Sequence, residues 1–154
     1  MEIVCFTDGS AINNGKPNAK ASYAVIFPEY PEFNAASIIP GNIHTNNRGE
    51  YHAIIKAFEQ ANIIDPSHNL LLKIYTDSML AINSLTLWMK AWKQNNWTKQ
   101  GGNPVANQDL LCILDGFLES RKVNFVHVKA HTRDKTYEAN FNRQVDIMAK
   151  NALN

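Results

Sequence analysis

Leu70-Leu71-Leu72-Lys73-Ile74-Tyr75-Thr76-Asp77-Ser78 is the stretch that decides the fold. Leu70 to Thr76 reads as a strand, and it runs directly into an acid, which places Asp77 at the strand end where open α/β sheets gather their ligands. A helical stripe lies on each side of it. Before it, Glu50, Ala53, Ile54, Ala57, Phe58 and Ala61 recur at the i, i+3, i+4, i+7 spacing of one helix face, with Pro66 beyond the end. After it, Ala81, Leu85, Trp88 and Trp92 mark a second helical segment.

Working outward, Ile3 to Thr7, Ser22 to Phe27 and Ala36 to Ile39 are three β-rich runs separated by Gly, Pro and Asn clusters, which predicts an antiparallel meander. Toward the C-terminus, Asn103-Pro104 reads as the cap and first residue of a helix whose buried stripe is Leu110, Ile113, Leu114 and Phe117. Val123 to Val128 is the fifth strand, and Phe141, Val145, Met148, Ala149 and Leu153 face inward from a last helix. The order βββαβααβα implies an α/β fold with a five-stranded mixed sheet. Strands one to three pair antiparallel, strands one, four and five run parallel through helical crossovers, and helices cover the faces.

With 154 residues, 45% of them hydrophobic, the chain is expected to form one domain over 1–154. Its longest apolar runs fall far short of the roughly 20 residues that span a bilayer. Met1 to Phe6 has no basic leader and enters a strand at once, so the expectation is a cytoplasmic protein with no membrane association. Cys5 and Cys112 lack metal-ligand spacing and read as buried free thiols. A formal charge of +1 neither requires nor excludes a polyanionic partner.

Four acids stand where a sequence built only for a core would not put them. Asp8 closes the first strand in Phe6-Thr7-Asp8-Gly9-Ser10, and Asp77 closes the fourth. Glu50 shares its stripe with Ala53, Ile54 and Ala57, and Asp146 is embedded between Val145 and Ile147. Each has a structural explanation of its own: a turn residue before Gly9, an N-cap, a helix N-terminal acid, an exposed helix acid. Together they imply a cation, because clustered carboxylates raise one another's pKa unless positive charge lies between them. Mg²⁺ suits an all-oxygen donor set, and no HExxH or EF-hand pattern points to another metal.

Thr7-Asp8-Gly9-Ser10, Thr45-Asn46-Asn47-Arg48-Gly49-Glu50, Thr76-Asp77-Ser78, Trp88 through Trp92 to Trp97, Pro104 to Leu110, Val128-Lys129-Ala130-His131 and Asn142 to Asp146 follow one another in the order of type 1 ribonuclease H. The chain resembles that family along essentially its whole length. The resemblance implies an endonuclease that hydrolyses the RNA strand of RNA–DNA hybrids, leaving 5′-phosphate and 3′-hydroxyl ends. Asp8, Glu50, Asp77 and Asp146 would hold two Mg²⁺ ions, with Mn²⁺ as a substitute. His131 matches the family's mobile-loop histidine, which assists proton transfer or release of product and metal.

The same resemblance assigns hybrid contacts. Asn14, Asn46 and Asn47 match groups that meet the minor groove and the RNA strand, joined by Gly9 and Ser78. Thr45 and Arg48, with Asn14, match a pocket for a DNA-strand phosphate. Trp88, Trp92 and Trp97 with Lys90, Lys93 and Lys99 match a basic protrusion, in which Trp92 is expected to pack and Trp88 to contact the DNA groove. Three departures stand out: Met79 replaces a base-touching glutamine, Gln94, Asn95 and Asn96 make the protrusion less basic, and the loop Thr132 to Phe141 is long. A monomer is expected. Junction resolvases and strand-transfer domains share the architecture, and a catalytically dead hybrid-binding module is the alternative from another class.

Overall fold

The computed structural model describes residues Met1–Asn154. Five strands, β1 (Glu2–Ile12), β2 (Lys20–Ile26), β3 (Ala35–Ile38), β4 (Leu71–Thr76) and β5 (Val123–His127), form one sheet in the order β3-β2-β1-β4-β5. β1 pairs antiparallel with β2 and β2 with β3, whereas β1/β4 and β4/β5 are parallel, as the sequence implied.

The helices are α1 (Asn46–Ile64), α2 (Met79–Asn83), α3 (Met89–Gln94), α4 (Gln108–Ser120) and α5 (Tyr137–Asn151). Alternation along β1 separates two cores. Ile3 and Cys5 join the larger, in which α1 contributes Ile54, Ala57 and Phe58 and α4 contributes Leu110, Leu111 and Leu114. Phe6 joins the smaller, beneath Val145 and Ala149 of α5, and stacks on Tyr75 with ring centroids 4.6 Å apart. No helix is long and apolar enough to cross a membrane.

Several sequence expectations need correction. β1 does not end at Thr7: its parallel ladder with β4 stops at the Thr7–Thr76 pair, but its antiparallel ladder with β2 continues to Ile12. Asp8 is therefore the first β1 residue past the end of β4, inside a strand rather than at its tip. The helical segment after Asp77 is broken, because a π-helical turn, Ser84–Trp88, separates α2 from α3. Its register matches neither 3.6-residue stripe, so periodicity passes over it.

Asn103-Pro104 does not open α4. Pro104 bridges back to Thr98, and α4 starts after Asn107, which is held in the left-handed region at φ +61°. Ile113 is about half exposed, and Leu111 is buried in its place. Cys112, also on α4, is exposed, while Cys5 is buried as expected. Finally, Thr136 caps α5 by accepting the Ala139 N–H at 3.2 Å, so residues from Tyr137 onward are helix and the loop after His131 is shorter than it read.

Candidate active site

Three of the four acids meet at the C-terminal edge of the parallel strands. One carboxylate oxygen from each of Asp8, Glu50 and Asp77 lies within 4.8 Å of the other two. β1 supplies Asp8, the end of β4 delivers Asp77, and the first turns of α1 lower Glu50 onto the sheet. Two glycines make that descent possible. A Cβ on Gly9 would collide with the backbone of Gly49 and Glu50, and a Cβ on Gly49 would lie 2.5 Å from the Ser22 carbonyl oxygen. Gly49 had only been a letter in a motif; its structural function is to let helix and sheet backbones touch.

Burial, followed by the charges of Glu50 and Asp77, pushes the Asp8 carboxyl far above the usual carboxylate range. Burial and then Asp77 raise Glu50, against the lowering influence of the nearby Asp8 carboxyl and Gly9 N–H. Asp77 is raised mainly by burial; the neighbouring Asn142 side chain pulls the other way, as do the charges of His131 and His127. Glu50 Oε2 is buried without any hydrogen-bond partner. An orphaned carboxylate oxygen among raised carboxyls, with an all-oxygen donor set, fits a hard divalent cation.

Asp146 stands slightly apart. It lines a small pocket with Asp77, His131, Asn142 and Arg143, and its carboxylate is 3.0 Å from Lys150 Nζ one helical turn on. His131 is thus brought to the acids, from a loop in which its own φ is +55°. Asn142, Arg143 and Lys150 were not among the candidate residues. Asn142 is buried, a signal visible only once the helix is packed.

Ser78 is the N-cap of α2, accepting the Ala81 N–H at 3.1 Å, which leaves the Asp77 carboxylate free of that task. Thr45 caps α1, accepting the Arg48 N–H at 3.1 Å. Asn14 Oδ1 accepts the Asn46 N–H at 3.1 Å, joining two of the expected groove-facing residues, and Asn14, Asn46 and Asn47 are all exposed. Arg48 is less available than its motif suggests: its guanidinium is buried, forked on Asp109 at 2.8 and 3.0 Å and bonded to Asn107 at 3.3 Å. Trp88 is partly exposed, whereas Trp92 and Trp97 pack on the core. Lys93 is tied down by Asp115 at 2.9 Å and Glu119 at 3.5 Å.

The family model for RNase H matches residues 1–154. The chain belongs to the ribonuclease H family. It is 36% identical over 138 residues to ribonuclease HI of Haemophilus influenzae, covering 89% of this chain and 83% of that protein. It is 34% identical over 130 residues to ribonuclease H1 of Rattus norvegicus, covering 84% of this chain but only 44% of the rat protein; against the first curated relatives this ribonuclease H chain spans about half their length. Among solved structures, LC11-RNase H1 in complex with RNA/DNA hybrid superposes with a TM-score of 0.69 at 19% identity, over 99% of this chain and 96% of that one, a likeness of fold.

Proposed function

We propose that this chain is a metal-dependent endonuclease that hydrolyses the RNA strand of RNA–DNA hybrids and leaves 5′-phosphate and 3′-hydroxyl ends. The observation that carries the reading is the Asp8–Glu50–Asp77 cluster, with its unpartnered Glu50 oxygen, at the strand ends of a ribonuclease H family member. Asp8, Glu50, Asp77 and Asp146 would hold two Mg²⁺ ions, which Mn²⁺ could replace, and bound ions would supply positive charge to the attacking and leaving oxygens of an in-line displacement.

The chain's own residues prepare that site. Gly9 and Gly49 allow the close backbone approach that sets Glu50 beside Asp8. The Asn142 side chain beside it favours the ionised form of Asp77, which a cation requires. His131, facing Asp77 and Asp146 across the pocket, accepts or returns a proton at its imidazole during turnover.

Hybrid binding falls to the surface around the acids. Asn14, Asn46 and Asn47 present donors and acceptors suited to 2′-hydroxyls, with the backbone of Gly9 and Ser78 beside them. Thr45, Arg48 and Asn14 take a phosphate of the DNA strand, for which Arg48 must share or leave the Asp109 carboxylate. Trp88 offers its exposed ring to the DNA groove.

Cleavage of an end-labelled hybrid with Mg²⁺, run beside duplex RNA, duplex DNA and a four-way junction, tests this reading. The expected result is cutting of the hybrid's RNA strand alone, lost in Asp8→Asn and Asp77→Asn. Junction cleavage would move the chain to the resolvases, and tight hybrid binding without cutting would make it a binding module.

A further inference from the structure

The segment that carries His131 is held unusually lightly. No backbone hydrogen bond ties residues 129–135 to another element: the β5 side ends at the Val128 N–H on the Thr76 carbonyl, and the α5 side begins at Thr136. One side-chain hydrogen bond reaches into the segment. Arg143 Nη1 donates to the Thr132 carbonyl at 3.1 Å, immediately after His131.

His131 itself sits in the left-handed region at φ +55°, uncommon for a residue with a Cβ, so the anchoring of the carbonyl that follows it bears on where its ring points. Arg143 makes no salt bridge, so its guanidinium is committed to this carbonyl rather than to a carboxylate. It stands on α5 between Asn142 and Asp146, and all three line one pocket with Asp77 and His131. One helix turn thus fixes an acid, an acid's neighbour and the loop facing both.

We propose that Arg143 is a positioning residue, a latch on the Thr132 carbonyl that sets how far the His131 imidazole reaches toward Asp77 and Asp146. The inference rests on the ribonuclease reading for its catalytic consequence, though not for the latch itself. A donor-bearing cation should serve, so Lys at this position retains part of the function and an apolar isostere retains none.

The test compares the whole chain as wild type, Arg143→Met and Arg143→Lys, by ¹⁵N relaxation of the 129–135 amides and by hybrid cleavage at saturating Mg²⁺. In Arg143→Met, order parameters in the segment should fall from about 0.85 toward about 0.6 or less. Its kcat should fall about tenfold with KM within about twofold of wild type. Arg143→Lys should recover part of the order and part of kcat.

Equal order in wild type and Arg143→Met overturns the latch, whatever the activity does. A loosened loop with unchanged kcat removes its catalytic consequence, and a raised KM at constant kcat makes Arg143 a nucleic-acid contact instead. A wild-type chain that cannot cut the hybrid sinks the ribonuclease reading and leaves relaxation to decide the latch.

Discussion

Buried acids lie at both ends of the parallel strands, and the two ends treat them in opposite ways. At the N-terminal edge, Asp65 accepts the Leu70 N–H at 2.9 Å and the Asn69 N–H at 3.3 Å, and meets the Arg121 guanidinium at 2.8 Å. Arg121, its side chain wholly buried, also donates to Asn62 and to the Leu70 carbonyl. At the C-terminal edge, Asp8, Glu50 and Asp77 face chiefly one another, and the only salt bridge on the cluster's rim is that of Lys150 to Asp146. The first arrangement joins α1, β4 and the start of β5; the second is repulsive without a ligand. A fold tolerates such repulsion where a bound cation repays it, so the contrast separates a structural acid from a site without reference to any relative.

The contrast breaks most sharply in activity. Asp77→Asn keeps the shape and removes a charge, and it should lower hybrid cleavage at least about 10³-fold, measured by single-turnover kinetics. In the metal-free chain the same substitution should raise Tm, because a like-charge contact is gone. Arg121→Met should do the reverse. Leaving Asp65 buried without its cation should lower Tm by roughly 10 °C, while cleavage per folded molecule at low temperature stays near wild type. Equal losses of activity from both variants would erase the distinction between the two ends.

The two ends also carry opposite pH signs. Asp8 and Glu50 are raised by burial and by neighbouring acids, so in the folded chain they hold protons that the unfolded chain has released. Their contribution to stability is present below about pH 4 and is lost as pH rises through the folded values. Asp65 is lowered, first by the Leu70 N–H and then by the Asn69 N–H and Arg121, so its contribution is present above about pH 4 and is lost on acidification. In EDTA, Tm should therefore fall by several degrees between about pH 5 and 8, and the fall should shrink in Asp8→Asn or on adding Mg²⁺. A metal-free Tm that climbs steadily over that range would mean the cluster's charges are already compensated.

Only one of these ends was legible in the sequence. Asp77 declares itself because an apolar strand stops on it, and Glu50 because it breaks an apolar stripe. Asp8 was found for a partly mistaken reason: β1 runs on along β2 after β4 has left, so the acid marks the end of one ladder and not of the strand. The Asp65–Arg121 pair is silent, because its partners lie 56 residues apart and neither interrupts a pattern. Asp109, whose carboxylate occupies Arg48, and Arg143, which bonds the loop backbone, escape for the same reason. Periodicity reports which face a residue takes; it is blind to what a polar tip meets once distant elements close.

Lys150 supplies the finest test of the comparison, since it is the single place where the C-terminal edge resembles the N-terminal one. Its ammonium lies 3.0 Å from Asp146, but it is more than half exposed, unlike Arg121. An exposed pair of this kind is weak and screened by salt. It is strong enough to compete for one carboxylate and too weak to remove that carboxylate from the site. Lys150→Met should therefore lower the Mg²⁺ concentration at half-maximal rate, and at half-maximal thermal shift, by about twofold at low salt, with the difference fading as ionic strength rises. Arg121→Met should leave both midpoints alone. A Lys150 variant that instead needs more Mg²⁺ would place the lysine among the groups that hold the substrate, and would make the C-terminal edge less purely acidic than its geometry indicates.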